Sequence, residues 1–150
     1  MASPPKVGDN EETLANENNA KPILQKHFGC KWFWKPVGKQ TYRYTADFYG
    51  YDDNDELEVI IEYRRRSNAS STYKTLILDV YKWNAIRVMA QQLNIPFIFA
   101  VEFNDGLFFI NETNTVRKVK HCERTEENFR EETDSGPCIQ IPIKEMTRMG

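Results

Sequence analysis

The chain has 150 residues, of which 40% are hydrophobic and 13% aromatic, and this is enough for one domain with a packed core. Its net charge of −2 argues against a protein that holds nucleic acid by bulk basicity alone. No apolar run approaches the roughly 20 residues that cross a bilayer, and three cysteines without a CxxC spacing argue against structural zinc or a disulfide framework. These features predict a cytoplasmic globular protein without membrane contact, in the host cytoplasm if the chain is viral.

The two ends of the chain differ in composition from its middle. Residues 1–10 contain Pro, Gly and Asp without apolar periodicity and are predicted to form a disordered leader. Residues 11–150 are predicted to form a single domain, with its core at about 14–111 and a C-terminal extension at 112–150. A first helix is expected between about 11 and 27, where Pro22 either lies in the first turn of a shorter helix or kinks a longer one.

Strands are predicted after this helix from aromatic content and from apolar residues that alternate by twos. They lie at 31–34, 41–48 and 57–64. Asp47 is placed near the end of the second of these strands, and Glu62 and Arg64 share one face of the third. If the two strands pair as a hairpin about the turn at 52–55, the carboxylates of Asp47 and Glu62 meet at one sheet edge.

The second half of the chain predicts one helix and further strands. The helix is at 79–93, the strands at 97–101, 107–110 and, as a short edge segment, 139–143. A helix that connects two strands indicates a parallel β-α-β unit. The predicted fold is therefore an α/β single domain, a central mixed β-sheet flanked by helices with an α-β-β-β-α-β core. Trp32, Trp34 and Trp83 are predicted to lie in the core.

Paired carboxylates at a strand end predict a metal site. Two adjacent carboxylates repel each other unless a cation lies between them, and magnesium prefers such oxygen ligands. The carbonyl of Tyr63 could add a third oxygen, and Arg64 could neutralise the charge of an attacked phosphate.

The segments Ala46-Asp47-Phe48 and Glu62-Tyr63-Arg64, followed by a helix and an apolar strand, resemble the PD-(D/E)XK, or restriction-endonuclease-like, nuclease superfamily. The similarity extends over 17–110, where the chain also looks like small nuclease-like proteins of bacteriophages. The resemblance implies that Asp47 and Glu62 hold Mg²⁺, with Mn²⁺ as a substitute. It also implies that Glu17, in the first helix, supplies an additional acidic ligand.

The resemblance fails at one position. Where the superfamily has a lysine that helps to activate water, this chain has Arg64, which stays protonated and cannot act as a base. Lys82, in the first turn of the second helix, is the best candidate for a lysine that has moved to another element, and Lys74 is the weaker one.

Structural interpretations remain open for several of these residues. Glu62 could serve only as the partner of Arg64 or Arg43 in a salt bridge. Glu17 could equally be an ordinary exposed helical glutamate, and Lys82 could be a solvated helix residue.

The sequence thus predicts a magnesium-dependent DNA endonuclease that hydrolyses phosphodiester bonds with metal-activated water. Asp47, Glu62, Arg64 and Lys82 would form its catalytic set, and Asp47, Glu62, Tyr63 and Glu17 its metal ligands. The alternative is a nuclease-like fold without catalysis that acts as a binding or structural protein, such as a virion component or a regulator of a host enzyme. DNA is the expected partner of the first and a protein that of the second, and a homodimer is left open.

Overall fold

The computed structural model describes residues 11–36, 45–122 and 136–149. These residues form two α-helices, nine β-strands and one short 3-10 helix. The helices are α1 (Glu11–Phe28) and α2 (Val80–Leu93), and the 3-10 helix is Ile143–Glu145. The strands are β1 (Trp32–Trp34), β2 (Phe48–Tyr51), β3 (Leu57–Arg65), β4 (Thr75–Asp79), β5 (Phe97–Phe103), β6 (Gly106–Asn111), β7 (Lys120–Cys122), β8 (Gly136–Pro142) and β9 (Thr147–Met149).

Six of the strands form the central sheet, in the order β1-β2-β3-β5-β6-β9. Strands β3 and β5 are parallel, and the connection between them contains α2, so the predicted β-α-β unit is confirmed. The other pairs in this sheet are antiparallel, which makes it a mixed sheet. The predicted α/β fold with an α-β-β-β-α-β core is thereby confirmed, although the strand preceding α2 belongs to another sheet.

The two faces of the central sheet bury different sets of residues. Ile60 and Phe99 belong to the core beneath α2 and the second sheet, whereas Ile61 and Ala100 belong to the core beneath α1. Successive side chains of a strand point to opposite faces, so the alternation in β3 sets which residues meet each helix. Glu62 lies on the α2 face by the same rule.

The second sheet was not predicted. It has the order β4-β8-β7, with both pairs antiparallel. Strand β4 runs directly into the helix at Asp79, without the Gly or Pro that would separate two elements in a sequence pattern. The segment expected to be a C-terminal extension supplies β8 and β9, and its Ile139 and Ile141 are fully buried in the core.

The two helices extend close to their predicted bounds. Pro22 lies inside α1 and not in its first turn, which settles the open alternative in favour of the longer helix. Asp79 caps α2 through its side chain, which accepts a hydrogen bond from the Lys82 backbone N–H at 3.3 Å. Asn94 ends α2 in the left-handed conformation (φ 54°). Neither helix is long and apolar enough to cross a membrane.

Several expectations are corrected by the strand positions. Trp83 is buried as predicted, but Trp32 and Trp34 are 38% and 47% exposed, because they lie on β1 at the edge of the sheet. The second strand lies at β2 (Phe48–Tyr51), further along the chain than expected, and residues 41–44 of the predicted strand fall outside the described part.

The expectation against disulfides is also wrong. Cys122 on β7 and Cys138 on β8 form a disulfide, with their Cα atoms 5.8 Å apart. The spacing of 16 residues gave no sign of this pairing, because it depends on how the two strands align. The predicted leader (1–10) and residues 123–135 of the predicted C-terminal extension lie outside the described residues.

Candidate active site

The two carboxylates singled out by the sequence lie together on the α2 face of the central sheet. Phe48 pairs with Ile61, so Asp47, one residue earlier, is opposite Glu62. Backbone and side-chain hydrogen bonds fix this position: the Asp47 N–H donates to the Ile61 carbonyl at 3.1 Å, and Asp47 Oδ2 accepts the Tyr63 N–H at 2.9 Å. Asp47 directly precedes β2 and does not lie near the end of a strand as predicted, because β2 begins at Phe48.

Glu62 is fully buried and lies against two cations. Its Oε2 is 2.8 Å from Lys82 Nζ and also contacts Arg64 Nη1. The same Arg64 nitrogen is 3.8 Å from Asp47 Oδ2, so the guanidinium is shared by both carboxylates. Within the described residues, the other oxygen of Glu62, Oε1, has no hydrogen-bond partner although it is buried.

Lys82 reaches this site because of where α2 begins. The Asp79 cap holds the backbone of Lys82 in the first turn, and the packing of α2 on the sheet directs the side chain toward β3. The Lys82 side chain is only 18% exposed, so the interpretation of a solvated helix residue is not supported. Lys74, the weaker alternative, is exposed just before β4.

The electrostatics of the two carboxylates differ. Burial and the charge of Glu62 raise the pKa of Asp47 well above its usual range, against the opposing effect of Lys82 and Arg64. Burial also opposes ionisation of Glu62, but Arg64 and Lys82 outweigh it and hold the pKa of Glu62 below its usual value. The pair therefore contains one carboxylate that is stabilised as an anion and one that lacks a sufficient countercharge.

Glu17 is placed near this cluster but is engaged elsewhere. It is buried on α1, on the opposite side of the sheet from α2, and forms an ion pair with Lys35, which the sequence analysis did not identify. Burial and Glu62 are the main causes that raise the pKa of Asp47, and the negative charge of Glu17 adds to them. Glu17 is therefore close enough to influence the site through its charge. It is neither an exposed helical glutamate nor, in this arrangement, a third carboxylate beside Asp47 and Glu62.

The other predicted ligand is also occupied. The Tyr63 carbonyl accepts a hydrogen bond from Arg64 Nη1 at 3.2 Å. Across the described segments, no three His, Cys, Asp or Glu side chains converge as a ready cluster of metal ligands. Arg65, the next residue along β3, donates to the Asn104 side chain at 3.1 Å at the end of the strand.

The donor set nevertheless fits a divalent cation of the magnesium type. Glu62 Oε1 is a buried carboxylate oxygen without a partner, and Asp47 has a raised pKa that a nearby cation would lower. Asp47 and Glu62 both offer carboxylate oxygens, the ligands that Mg²⁺ and Mn²⁺ prefer in proteins. Asp47 and Glu62 could therefore hold such an ion, with water and substrate oxygens as the remaining ligands.

Comparison with known proteins identifies the family and the fold. A family model described as "Phage putative PDDEXK endonuclease" matches residues 9–149. Among solved structures, the Holliday junction resolvase Hjc of the archaeal hyperthermophile Archaeoglobus fulgidus is similar, with a TM-score of 0.53 and 10% sequence identity. The match covers 89% of this chain and 92% of the resolvase, and at this identity it shows the fold alone. No curated protein matches the sequence.

Proposed function

The chain belongs to the phage PDDEXK endonuclease family, and from that premise we propose that it is a magnesium-dependent DNA endonuclease. Family and fold are those of PDDEXK-type nucleases, which act on DNA. The proposal adds the metal, the hydrolysis of phosphodiester bonds, and the roles of particular residues. The phage origin of the family supports the host cytoplasm as the place where the DNA is met.

One observation carries this proposal: a buried glutamate, Glu62, has one oxygen paired with two cations and the other without a partner in the described part of the chain. Leaving a buried charged oxygen unpaired is costly, so it is expected where a ligand completes the site. The unpartnered atom, Glu62 Oε1, belongs to the residue opposite Asp47, the second carboxylate of the site.

Asp47 and Glu62 would hold the ion, and their own chemistry suits this role. The chemistry supplied by a bound Mg²⁺ is Lewis-acid polarisation of the scissile phosphate and activation of the attacking water. Glu62 stays ionised because Arg64 and Lys82 hold its pKa low despite its burial. Asp47 is held in place by the Tyr63 N–H, which also fixes the direction in which its second oxygen points.

Lys82 and Arg64 would stabilise the charge that develops on the phosphate. Arg64 stays protonated, so it acts as a fixed cation and an orienting group for Glu62. Lys82 brings a compact ammonium to the same glutamate from α2, and this is the lysine that the strand itself lacks. Cations fixed beside a developing negative charge are typically worth a factor of 10² to 10³ in rate, roughly the effect of one oxyanion-hole donor.

A second function is favoured by one feature of the same site. Arg64 binds Glu62 and the Tyr63 carbonyl and also approaches Asp47, so the acidic pair is partly neutralised by the chain itself. Such a self-neutralised site would suit a nuclease-like fold without catalysis, which would act through a protein partner.

Incubation with supercoiled plasmid and either Mg²⁺ or Mn²⁺ separates the two functions. We expect nicking or linearisation by the native protein, and none by Glu62→Ala. Glu56→Ala is the matched control, since it removes an exposed carboxylate from the hairpin turn of the same two strands. Cleavage that persists in Glu62→Ala would exclude the proposed mechanism. No cleavage with any divalent metal, together with no binding of Mn²⁺ by calorimetry, would favour the non-catalytic function.

A further inference from the structure

Two tryptophans lie exposed on the edge strand β1, on the face of the sheet that carries the active site. Trp34 pairs in register with Tyr49 and Trp32 with Tyr51, and both indoles contact those tyrosine rings. Phe33, between them, is buried on the opposite face. At 47% exposure, the Trp34 ring leaves apolar area in water that a ligand can cover.

The sequence around β1 is strongly basic, in contrast to the chain as a whole. Between Glu17 and Asp47 there is no Asp or Glu, although the protein carries a net charge of −2. The basic residues of this stretch are Lys21, Lys26, Lys31, Lys35, Lys39 and Arg43. Of the described cations in this stretch, Lys21 and Lys26 belong to α1 on the other side of the sheet, and Lys35 is paired with Glu17. The cations of the active site, Arg64 and Lys82, lie on the Trp34 face. Rings that stack on bases beside cations that follow the backbone are typical of surfaces that bind single-stranded nucleic acid.

The two tryptophans differ in how free their rings are. Trp32 is stacked on Tyr51, with ring centroids 4.3 Å apart and an interplanar angle of 11°, and its Nε1 donates to Asp55 in the acidic turn at 3.0 Å. Trp34 is tilted at 51° over Tyr49, with centroids 5.3 Å apart. Trp32 is thus fixed beside negative charge, whereas Trp34 is the more exposed ring and lies toward the active site.

The distance from Trp34 to the carboxylates suits a neighbouring nucleotide. Its register partner Tyr49 is two residues from Asp47, which corresponds to about 7 Å along a strand. One strand of DNA advances about 3.4 Å per nucleotide along the helix axis. A base stacked on Trp34 would therefore belong to a nucleotide within a few positions of a phosphate at Asp47 and Glu62.

We propose that Trp34 is a stacking platform for an unpaired nucleobase of the DNA strand whose phosphate occupies the active site. This inference rests on the proposed function and names its substrate class. Bases in a continuous duplex are stacked on one another and cannot offer a face to an indole without being extruded. The preferred substrate is therefore DNA with unpaired bases beside the cut, as in single strands, flaps or the open arms of branched DNA.

Binding measured without metal tests the platform separately from cleavage. The native protein and the variants Trp34→Ala, Trp34→Tyr and Trp32→Ala are titrated in EDTA against dye-labelled DNA, and anisotropy is recorded. The probes are one single strand, the blunt duplex of the same sequence, and that duplex with an unpaired flap. Trp32→Ala is the matched control, since it removes the same side chain from the same face of β1.

Trp34→Ala should weaken binding of the single strand and the flap by roughly 5- to 150-fold, the range for loss of one base–aromatic stack, and leave duplex binding unchanged. Trp34→Tyr should restore most of the loss, since it keeps a ring, and Trp32→Ala should change binding less than Trp34→Ala. Equal loss on duplex and single strand, or no loss in Trp34→Ala, would overturn the proposal. The binding assay contains no metal, so it does not depend on catalysis. Absence of cleavage of the flapped duplex in Mg²⁺ or Mn²⁺ would overturn the proposed endonuclease and leave the binding result standing.

Discussion

Glu62 and Glu112 are both fully buried glutamates paired with arginine, and their surroundings differ in one respect. Around Glu112, every oxygen has a partner: Oε1 accepts from Trp83 Nε1 at 2.9 Å and from Arg117 Nε at 3.2 Å, and Oε2 accepts from Arg117 Nη2 at 2.7 Å. Around Glu62, Oε2 takes both cations, and Oε1 has no partner among the residues that the structure describes.

The difference distinguishes a carboxylate that stabilises the fold from one that is prepared for a ligand. The two-pronged Arg117 pair and the indole N–H give both oxygens of Glu112 a partner within the fold. Burial alone therefore does not mark a functional acid in this protein. The unpaired oxygen does, together with a second carboxylate close enough to share a cation.

Exchanging each glutamate for its neutral amide should give opposite results, and this is the largest effect expected. Glu62→Gln should lower plasmid cleavage by at least about 1000-fold, since it removes a metal ligand, and should cost less stability than the change at Glu112, because Arg64 and Lys82 are 20% and 18% exposed whereas Arg117 is 8% exposed. Glu112→Gln should lower the free energy of unfolding by about 3 kcal/mol, since Arg117 keeps its charge in a largely buried position.

The test is to measure the cleavage rate and the urea unfolding of both variants. Glu62→Gln should mainly lose cleavage, and Glu112→Gln should mainly lose stability. A loss of stability in Glu62→Gln that equals the loss in Glu112→Gln would contradict the distinction, because it would make both glutamates structural.

Replacing the cation of each cluster sharpens the same comparison. Lys82→Met should lower the cleavage rate by about 100-fold while the urea midpoint changes little, since Arg64 still pairs with the same oxygen of Glu62. Arg117→Met should instead lower the urea midpoint, because it leaves Glu112 buried without its cation. Full activity in Lys82→Met would show that the ammonium on α2 is only a structural partner of Glu62.

Asp47→Asn tests the carboxylate that lacks a sufficient countercharge. Burial and Glu62 raise the pKa of Asp47 in the folded state, so the group favours folding below its unfolded pKa of about 3.9 and loses that contribution as pH rises through the folded pKa. Asparagine cannot ionise and still offers an oxygen to the Tyr63 N–H. Without metal, the variant should therefore be more stable than the native protein at neutral pH, by about 1 kcal/mol.

Urea unfolding of Asp47→Asn at several pH values measures this difference. The advantage of the variant should grow as pH rises through the titration of Asp47 and then level off. Added Mg²⁺ should reduce it, because the ion binds the native protein in its folded state. A variant that is less stable than the native protein at neutral pH would refute the unfavourable charge at Asp47.

The smallest effect is expected at Glu145, the second carboxylate that pairs with Arg117. Arg117 Nη1 also pairs with Glu145 at 3.0 Å, but the Glu145 side chain is 44% exposed. Exposed ion pairs contribute about 0–1 kcal/mol, so Glu145→Gln should change the unfolding free energy by less than about 0.5 kcal/mol and leave cleavage unchanged. A larger decrease in the unfolding free energy would show that the exposed ion pair between Arg117 and Glu145 also stabilises the fold.

The sequence predicted the site where a short-range pattern determines position. The alternation of β3 put Glu62 and Arg64 on one face, and the helix that follows β4 placed Lys82 against that face. Hydrophobic periodicity sets the face of β3 and the helical spacing of α2 locally, whereas the contact between Lys82 and Glu62 also needs α2 to pack on the sheet, as in the predicted β-α-β unit. The roles of these residues in catalysis stay predictions until the variants are measured.

Features that depend on contacts between distant segments were not predictable in this way. Lys35 meets Glu17 only because α1 packs on the central sheet, and Arg117 meets Glu112 in a segment without periodicity. Trp32 and Trp34 were predicted to lie in the core because they are large aromatic residues. Their exposure follows from the position of β1 at the edge of the sheet. That position is set by pairing between residues far apart in the chain.

The placement of Lys82 on α2 has a consequence for when the protein could act. Strands β2 and β3 form a local hairpin, so Asp47 and Glu62 can come together early, but Lys82 joins them only after α2 has docked on the sheet. In a chain that has collapsed but is not yet packed, Asp47 and Glu62 would lie together without the ammonium group of Lys82. Such a division of the site between hairpin and helix would keep an immature nuclease harmless to the DNA around it.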